Sequence, residues 1–185
     1  ALLTALGELL GGQGVRLRAR GETFVQDGLG IRTADLGQLE AQEAAIVEQF
    51  EPWATRRPAP DFALDQSKAL PESVVRRTLF AYRDDGIEGR SICLLGDDDF
   101  NSVAIALAHH LVTGGRWSIR RLVVLEKDVR ILAMIEAAAG ELALSIEVIE
   151  ADLALPMPAG LHDEFDVVLT DPPYTVPGAL LFLSR

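Results

Sequence analysis

The chain has 185 residues, 49% of them hydrophobic and 24% charged, with a formal net charge of −11. That apolar content excludes a disordered chain and supplies a core for one domain, or one domain with a small appendage. The acidic balance argues against a generic nucleic-acid or anionic-membrane binder, because phosphates are repelled, and suits a cationic ligand.

The single cysteine, Cys93, excludes an internal disulfide or a cysteine-rich zinc site, and its apolar neighbours mark it as a packed side chain. No stretch approaches the roughly 18 consecutive apolar residues of a membrane span, and the opening Ala1-Leu2-Leu3 lacks the pattern of a signal peptide. A cytoplasmic protein is expected, and the missing initiator methionine suggests a piece of a longer chain.

In chain order, Leu2, Leu3, Leu6, Leu9 and Leu10 recur at helical spacing. Gln26-Asp27-Gly28 reads as a hairpin turn between short apolar runs, and Leu36 to Phe50 resumes helical periodicity. Helix, hairpin and helix resemble a partial winged-helix module or an unspecialised small domain. Pro52, Pro58 and Pro60 then punctuate a linker-like stretch, which places a boundary near residue 60 and the main domain over 61–185.

A helix is predicted from about Pro71, with Pro71 in the first turn, Glu72 favourable to the helix dipole, and an end before Gly86. Four short apolar runs follow: Ser91 to Leu95, Leu122 to Leu125, Ile146 to Ile149 and Phe165 to Thr170. Helices are predicted at about Ser102 to Val112 and Val129 to Ala139. This alternation predicts a parallel sheet with helices on both faces.

Ligands on such sheets bind at the carboxyl ends of the strands. All four runs end in acid: Asp97, Asp98 and Asp99, then Glu126, Asp152 and Asp171. Glu126 is placed to accept both hydroxyls of a ribose, and Asp152 to meet an adenine amino group. The first loop carries one glycine, Gly96, and three aspartates where several glycines are usual. Capping a helix accounts for one carboxylate, and the like charges of all three call for a cation. An organic polycation fits better than a metal, since His109, His110 and His162 read as surface or core-edge residues. The rigid Asp171-Pro172-Pro173-Tyr174 loop resembles those of methyltransferases that act on amino nitrogens.

Leu64-Asp65-Gln66, Leu95-Gly96-Asp97-Asp98-Asp99, Leu125-Glu126-Lys127-Asp128-Val129-Arg130 and the segment from Phe165 through Thr175 to Arg185 occur in that order. Together they resemble the branched-chain polyamine synthases, the N(4)-bis(aminopropyl)spermidine synthase family, over roughly residues 61–185. The resemblance implies a class I methyltransferase-like, Rossmann-like α/β domain, here C-terminally incomplete, behind a small winged-helix-like N-terminal region. It implies an aminopropyltransferase that uses decarboxylated S-adenosylmethionine, without a metal, on the internal nitrogen of spermidine or a related polyamine.

Asp97 and Asp171 are then the expected catalytic residues, with Asp97 the first choice for the carboxylate that orients the amine and takes its proton. Gln66, Gly96, Asp98, Glu126, Lys127, Asp152 and Leu153 are expected at the cofactor. Asp99, Asp171, Pro172 and Tyr174 are expected at the polyamine. No nucleic acid or membrane partner is implied, and a homodimer is left open. Two departures stand out: Glu126 where relatives often carry Asp, and Leu153 where an arginine would follow the aspartate. The competing readings are an S-adenosylmethionine-dependent methyltransferase acting on an amino nitrogen, and a non-catalytic nucleotide or polyamine sensor.

Overall fold

The computed structural model describes residues 17–20, 23–26, 36–84, 86–158, 160–172 and 175–184. The predicted helix over residues 2–10 lies outside them. The chain divides into two compact units, residues 1–32 and 33–185. In the first, β1 (Leu17–Arg20) pairs antiparallel with β2 (Thr23–Gln26). Arg20 faces Thr23, and Gln26 is the last paired residue of β2; the rest of the predicted Gln26-Asp27-Gly28 turn lies outside the described residues.

The second unit begins with α1 (Leu36–Arg56). It runs through Pro52, which the sequence reading took for the start of a linker. A proline inside a helix removes one backbone bond and costs about 3 kcal/mol, but Ile46, Phe50, Trp53 and Ala54 are all buried along α1. Burying that apolar stripe offsets the proline. The helix packs on α2 (Pro71–Arg83) and α3 (Asn101–Thr113), and its Ile46, Phe50, Trp53 and Ala54 belong to the core of the second unit. Between α1 and α2 lies one short 3-10 turn, Phe62–Leu64, capped by the Asp61 carboxylate.

The sheet is built from β3 (Ser91–Leu95), β4 (Arg121–Glu126), β5 (Glu147–Glu150) and β6 (Val167–Thr170), all parallel, in the order β5-β4-β3-β6. Helix α4 (Val129–Leu142) joins β4 to β5, and α5 (Val176–Leu183) follows β6. β3 and β4 are apolar on both faces because both are covered, as interior parallel strands require. Ile92, Leu94, Leu122 and Val124 face the larger core with α1 to α4. Cys93, Leu95, Val123 and Leu125 face a smaller one closed by Leu161, Met157, Phe165 and Phe182. Among the described residues, that second face is covered by the segment between β5 and β6 and by α5. Phe165, read from the sequence as the start of a strand, packs there ahead of β6.

His109 corrects a further expectation. It is fully buried in the core, not at its edge. Its Nε2 accepts the Ser118 N–H at 2.9 Å, so Nδ1 carries the proton and donates to the Tyr82 hydroxyl at 2.7 Å. Burial lowers its pKa to about 4. Cys93 is buried as expected, and burial pushes its thiol up to about 12.

Candidate active site

β3 lies between β4 and β6, and the strand order reverses direction there. The crevice outside the carboxyl ends of β3 and β6 is where an open α/β sheet takes its ligand. Thr170 Oγ1 donates to the Leu95 carbonyl at 2.9 Å and ties the two strand ends together.

In the loop after β3, Gly96 adopts φ +75°, and its N–H donates to the Leu125 carbonyl at 2.8 Å. A side chain there would be strained, and its Cβ would come to 3.9 Å from Phe182 and 4.0 Å from the Glu126 carboxylate. Asp97 then folds over the start of α3. Its Oδ1 accepts the Asn101 N–H at 2.6 Å and Oδ2 accepts the Ser102 N–H at 3.0 Å. It is the side chain that caps α3, 1% exposed, and burial pushes its carboxyl up to about 7 against those two bonds. Phe100, fully buried, holds a left-handed φ of 60°. Such strain in a bulky residue costs about 1–3 kcal/mol and collects at functional loops.

Asp98 is the partly open member of the triplet. Its Oδ2 accepts the Ser67 N–H at 3.0 Å. Desolvation first, then the charge of Asp99, raise its pKa to about 6, with Glu126 and Asp171 adding to the effect. Asp99 points the other way. Its Oδ1 accepts from Arg57 Nη1 at 2.8 Å and from the Ala69 N–H at 2.7 Å, while Oδ2 accepts from Arg77 Nη1 at 2.8 Å. Arg57 is buried too, and its remaining donors reach the carbonyls of Ala54 and Ala69.

At the end of β4, Glu126 is buried and accepts three backbone N–H groups: Lys127 at 2.7 Å and Asp128 at 2.8 Å on Oε1, and Asp97 at 2.9 Å on Oε2. It binds the first and second loops to each other. Asp128 caps α4 through the Arg130 N–H and accepts from Gln66 Nε2 at 3.1 Å. Its side-chain bond to Arg130 is the main cause holding its pKa near 2. Gln66 in turn accepts the Asp61 N–H at 2.8 Å. Asp152 accepts from Lys127 Nζ at 2.8 Å and from the Ala154 N–H at 2.9 Å, and the lysine bond lowers its pKa. Leu153 packs against the second core together with Phe182.

Asp171, at the end of β6, accepts from Arg77 Nη2 at 3.1 Å. Pro172 is half-buried beside it. Pro173 and Tyr174 lie outside the described residues, and so does the expected pocket role of Tyr174.

The structure thus brings Gln66, Gly96, Asp97, Asp98, Asp99, Glu126 and Asp171 to one edge, with Lys127, Asp152 and Leu153 toward its β5 side. Sequence reasoning did not single out Arg57, Arg77, Ser67 or Asp128. The only available signal was that so many carboxylates must find cations and N–H groups nearby, which does not say which ones. Among the described residues no group of three His, Cys, Asp or Glu side chains comes together as metal ligands.

The strand order, the glycine turn after the first parallel strand and the acidic residue ending the second define a Rossmann-like domain of the class I methyltransferase type. A proposed RNA methyltransferase of Pyrococcus horikoshii shares that fold at a TM-score of 0.54 and 16% identity, over 78% of this chain and 67% of that one. The match is much closer to one family. The model of the branched-chain polyamine synthase A C-terminal domain covers residues 45–185, and the chain belongs to this family.

The N(4)-bis(aminopropyl)spermidine synthase of Thermococcus kodakarensis is 34% identical over 141 residues, 76% of this chain and 38% of that protein. The enzyme of the same name from Thermus thermophilus is 35% identical over 138 residues, 75% of this chain and 38% of that protein. The crystal structure of the Thermus thermophilus branched-chain polyamine synthase, in complex with N4-aminopropylspermidine and 5'-methylthioadenosine, superposes with a TM-score of 0.68 at 29% identity. It matches 99% of this chain and 54% of that one. The chain therefore spans between about a third and a half of the length of these relatives.

Proposed function

We propose that this chain carries the donor-binding half of an aminopropyltransferase that builds branched polyamines. The donor is decarboxylated S-adenosylmethionine, and the acceptor is the internal nitrogen of spermidine or a related polyamine. The observation that carries the reading is the partly open carboxylate of Asp98, set among Asp99, Glu126 and Asp171 at the crevice between β3 and β6. S-adenosylmethionine itself would bring a carboxylate into that field. The decarboxylated form brings an ammonium beside its sulfonium, and spermidine is a polycation.

In this reading the acceptor nitrogen attacks the methylene next to sulfur, the carbon–sulfur bond breaks, and methylthioadenosine leaves. The new ammonium then loses its extra proton to a carboxylate. Asp97 was the first choice for that carboxylate, but both its oxygens serve the start of α3. We assign the proton to Asp98, whose raised pKa brings it closer to working pH, and leave Asp97 behind it as the residue that fixes the loop. Asp171 orients the nitrogen, with Asp99, Pro172 and Tyr174 framing the polyamine side. Glu126 meets the ribose through Oε2, and Gln66 and Gly96 shape the approach to it. Asp152, held by Lys127, lies at the adenine with Leu153. A cytoplasmic location belongs to the same reading, and a homodimer is compatible with it.

Two measurements test it. Calorimetric titration should show tighter binding of decarboxylated than of carboxylated S-adenosylmethionine. Mass analysis after incubation with spermidine and the decarboxylated donor should show addition of aminopropyl groups. Preference for the carboxylated donor, with methyl transfer, would establish a methyltransferase instead. Donor binding without any transfer by the complete natural protein would leave a sensor.

A further inference from the structure

Arg77, on α2, spans the two loops that flank the crevice. Its Nη1 donates to Asp99 Oδ2 at 2.8 Å and its Nη2 to Asp171 Oδ2 at 3.1 Å. The first end is anchored: the Asp99 side chain is 5% exposed and is also held by Arg57 and the Ala69 N–H. The second end is open, with the Asp171 side chain 39% exposed. A guanidinium is a planar fork whose two arms keep a fixed spacing, so it can hold two carboxylates in one relative position. A lysine ammonium on its flexible stem cannot.

We propose that Arg77 is a positioning residue for the transfer: it passes the fixed position of Asp99 across the crevice to Asp171, so that Asp171 is aligned before the acceptor nitrogen arrives. The inference rests on the aminopropyl reading above, because it takes Asp171 as the group that orients the nitrogen. It also resolves an oddity of charge. A cation at an edge that binds cations weakens their attraction. Removing it for electrostatic reasons alone should tighten the acceptor and leave turnover intact. Removing an aligning group should instead lower turnover, because misplacing a reacting group is costly even at full occupancy.

The test is steady-state transfer by the complete natural protein at saturating donor, comparing wild type with Arg77→Met, Arg77→Lys and Arg77→Ala. We expect kcat to fall by about tenfold or more in all three, with the acceptor KM of Arg77→Met no higher than that of wild type. Added methylguanidinium should restore part of the turnover of Arg77→Ala. Donor affinity measured by calorimetry should stay within about threefold of wild type, as the intact fold implies. Full kcat in Arg77→Lys would show that charge alone suffices and overturn the inference. A raised acceptor KM with unchanged kcat in Arg77→Met would overturn it too. If wild type transfers no aminopropyl group, the aminopropyl reading fails and this inference falls with it; if wild type is active and Arg77→Met keeps full kcat, only this inference fails.

Discussion

Asp97 and Asp98 are adjacent in sequence but differ in what their carboxylates can do. Asp97 is enclosed and spends both oxygens on the first N–H groups of α3, whereas Asp98 keeps part of its side chain open to the crevice. Asp98→Asn should therefore lower kcat by about a hundredfold or more, the usual loss for a proton-accepting group. It should also weaken binding of the decarboxylated donor in calorimetry, because the same carboxylate faces its ammonium.

Asp97 makes a prediction about stability. Its carboxyl is raised from 3.8 to about 7, so the folded state favours the protonated form. That contribution is full below pH 4 and is lost as pH rises through 7. His109, lowered to about 4, acts in the opposite sense from pH 4 to somewhat above 6.5, so the Asp97 contribution is read from the difference between wild type and Asp97→Asn. Between pH 6.5 and 8 the stability of wild type relative to Asp97→Asn in urea denaturation should fall by about 1 kcal/mol, leaving Asp97→Asn with the flatter slope. An equally steep slope in Asp97→Asn would refute the assignment.

At the scale of elements, Asp99 determines how the helical layer meets the sheet. It joins the carboxyl end of α1, through Arg57, to the loop after β3 and to the segment that presents Ser67 to Asp98. Removing one partner of a buried ion pair leaves the other charge stranded, so Asp99→Ala should cost about 3–5 kcal/mol in urea denaturation. A loss below about 1 kcal/mol would mean that Arg57 finds other compensation.

This network also marks what could be read from the sequence. The strands were legible because each is a short apolar run closed by acid, and because β3 and β4 are buried on both faces. The carboxyl edge was legible because parallel topology puts all those acids on one side. The division of labour among three identical aspartates was not, since it depends on which partner the fold delivers to each. Nor was the passage of α1 through Pro52, because local propensity reads a proline as a break while the burial of Trp53 and Ala54 is a tertiary effect.

For the whole molecule, the sign of the charge matters less than where it is held. Much of the acid at the crevice is already committed: Asp99 to Arg57 and Arg77, Asp128 to Arg130 and Asp152 to Lys127. What faces a mobile polycation is the partly open Asp98, together with Asp171, which shares Arg77 with Asp99, backed by the general field of a chain with net charge −11. Long-range attraction of that kind is screened over about 10 Å at 0.1 M salt, whereas alignment within the bound complex is not. Raising the ionic strength from about 0.05 to 0.3 M should therefore raise the acceptor KM severalfold and leave kcat nearly constant. The comparison with a methyltransferase is direct: the carboxylate of S-adenosylmethionine cancels one of its two positive charges. Its binding should therefore gain less from this field than that of the decarboxylated donor and depend more weakly on salt. Steady-state kinetics across a salt series, with the polyamine as the varied substrate, would decide it. A salt-independent acceptor KM would mean that the acidic edge does not steer the substrate, and the specificity for cations would then have to arise from contacts made after binding.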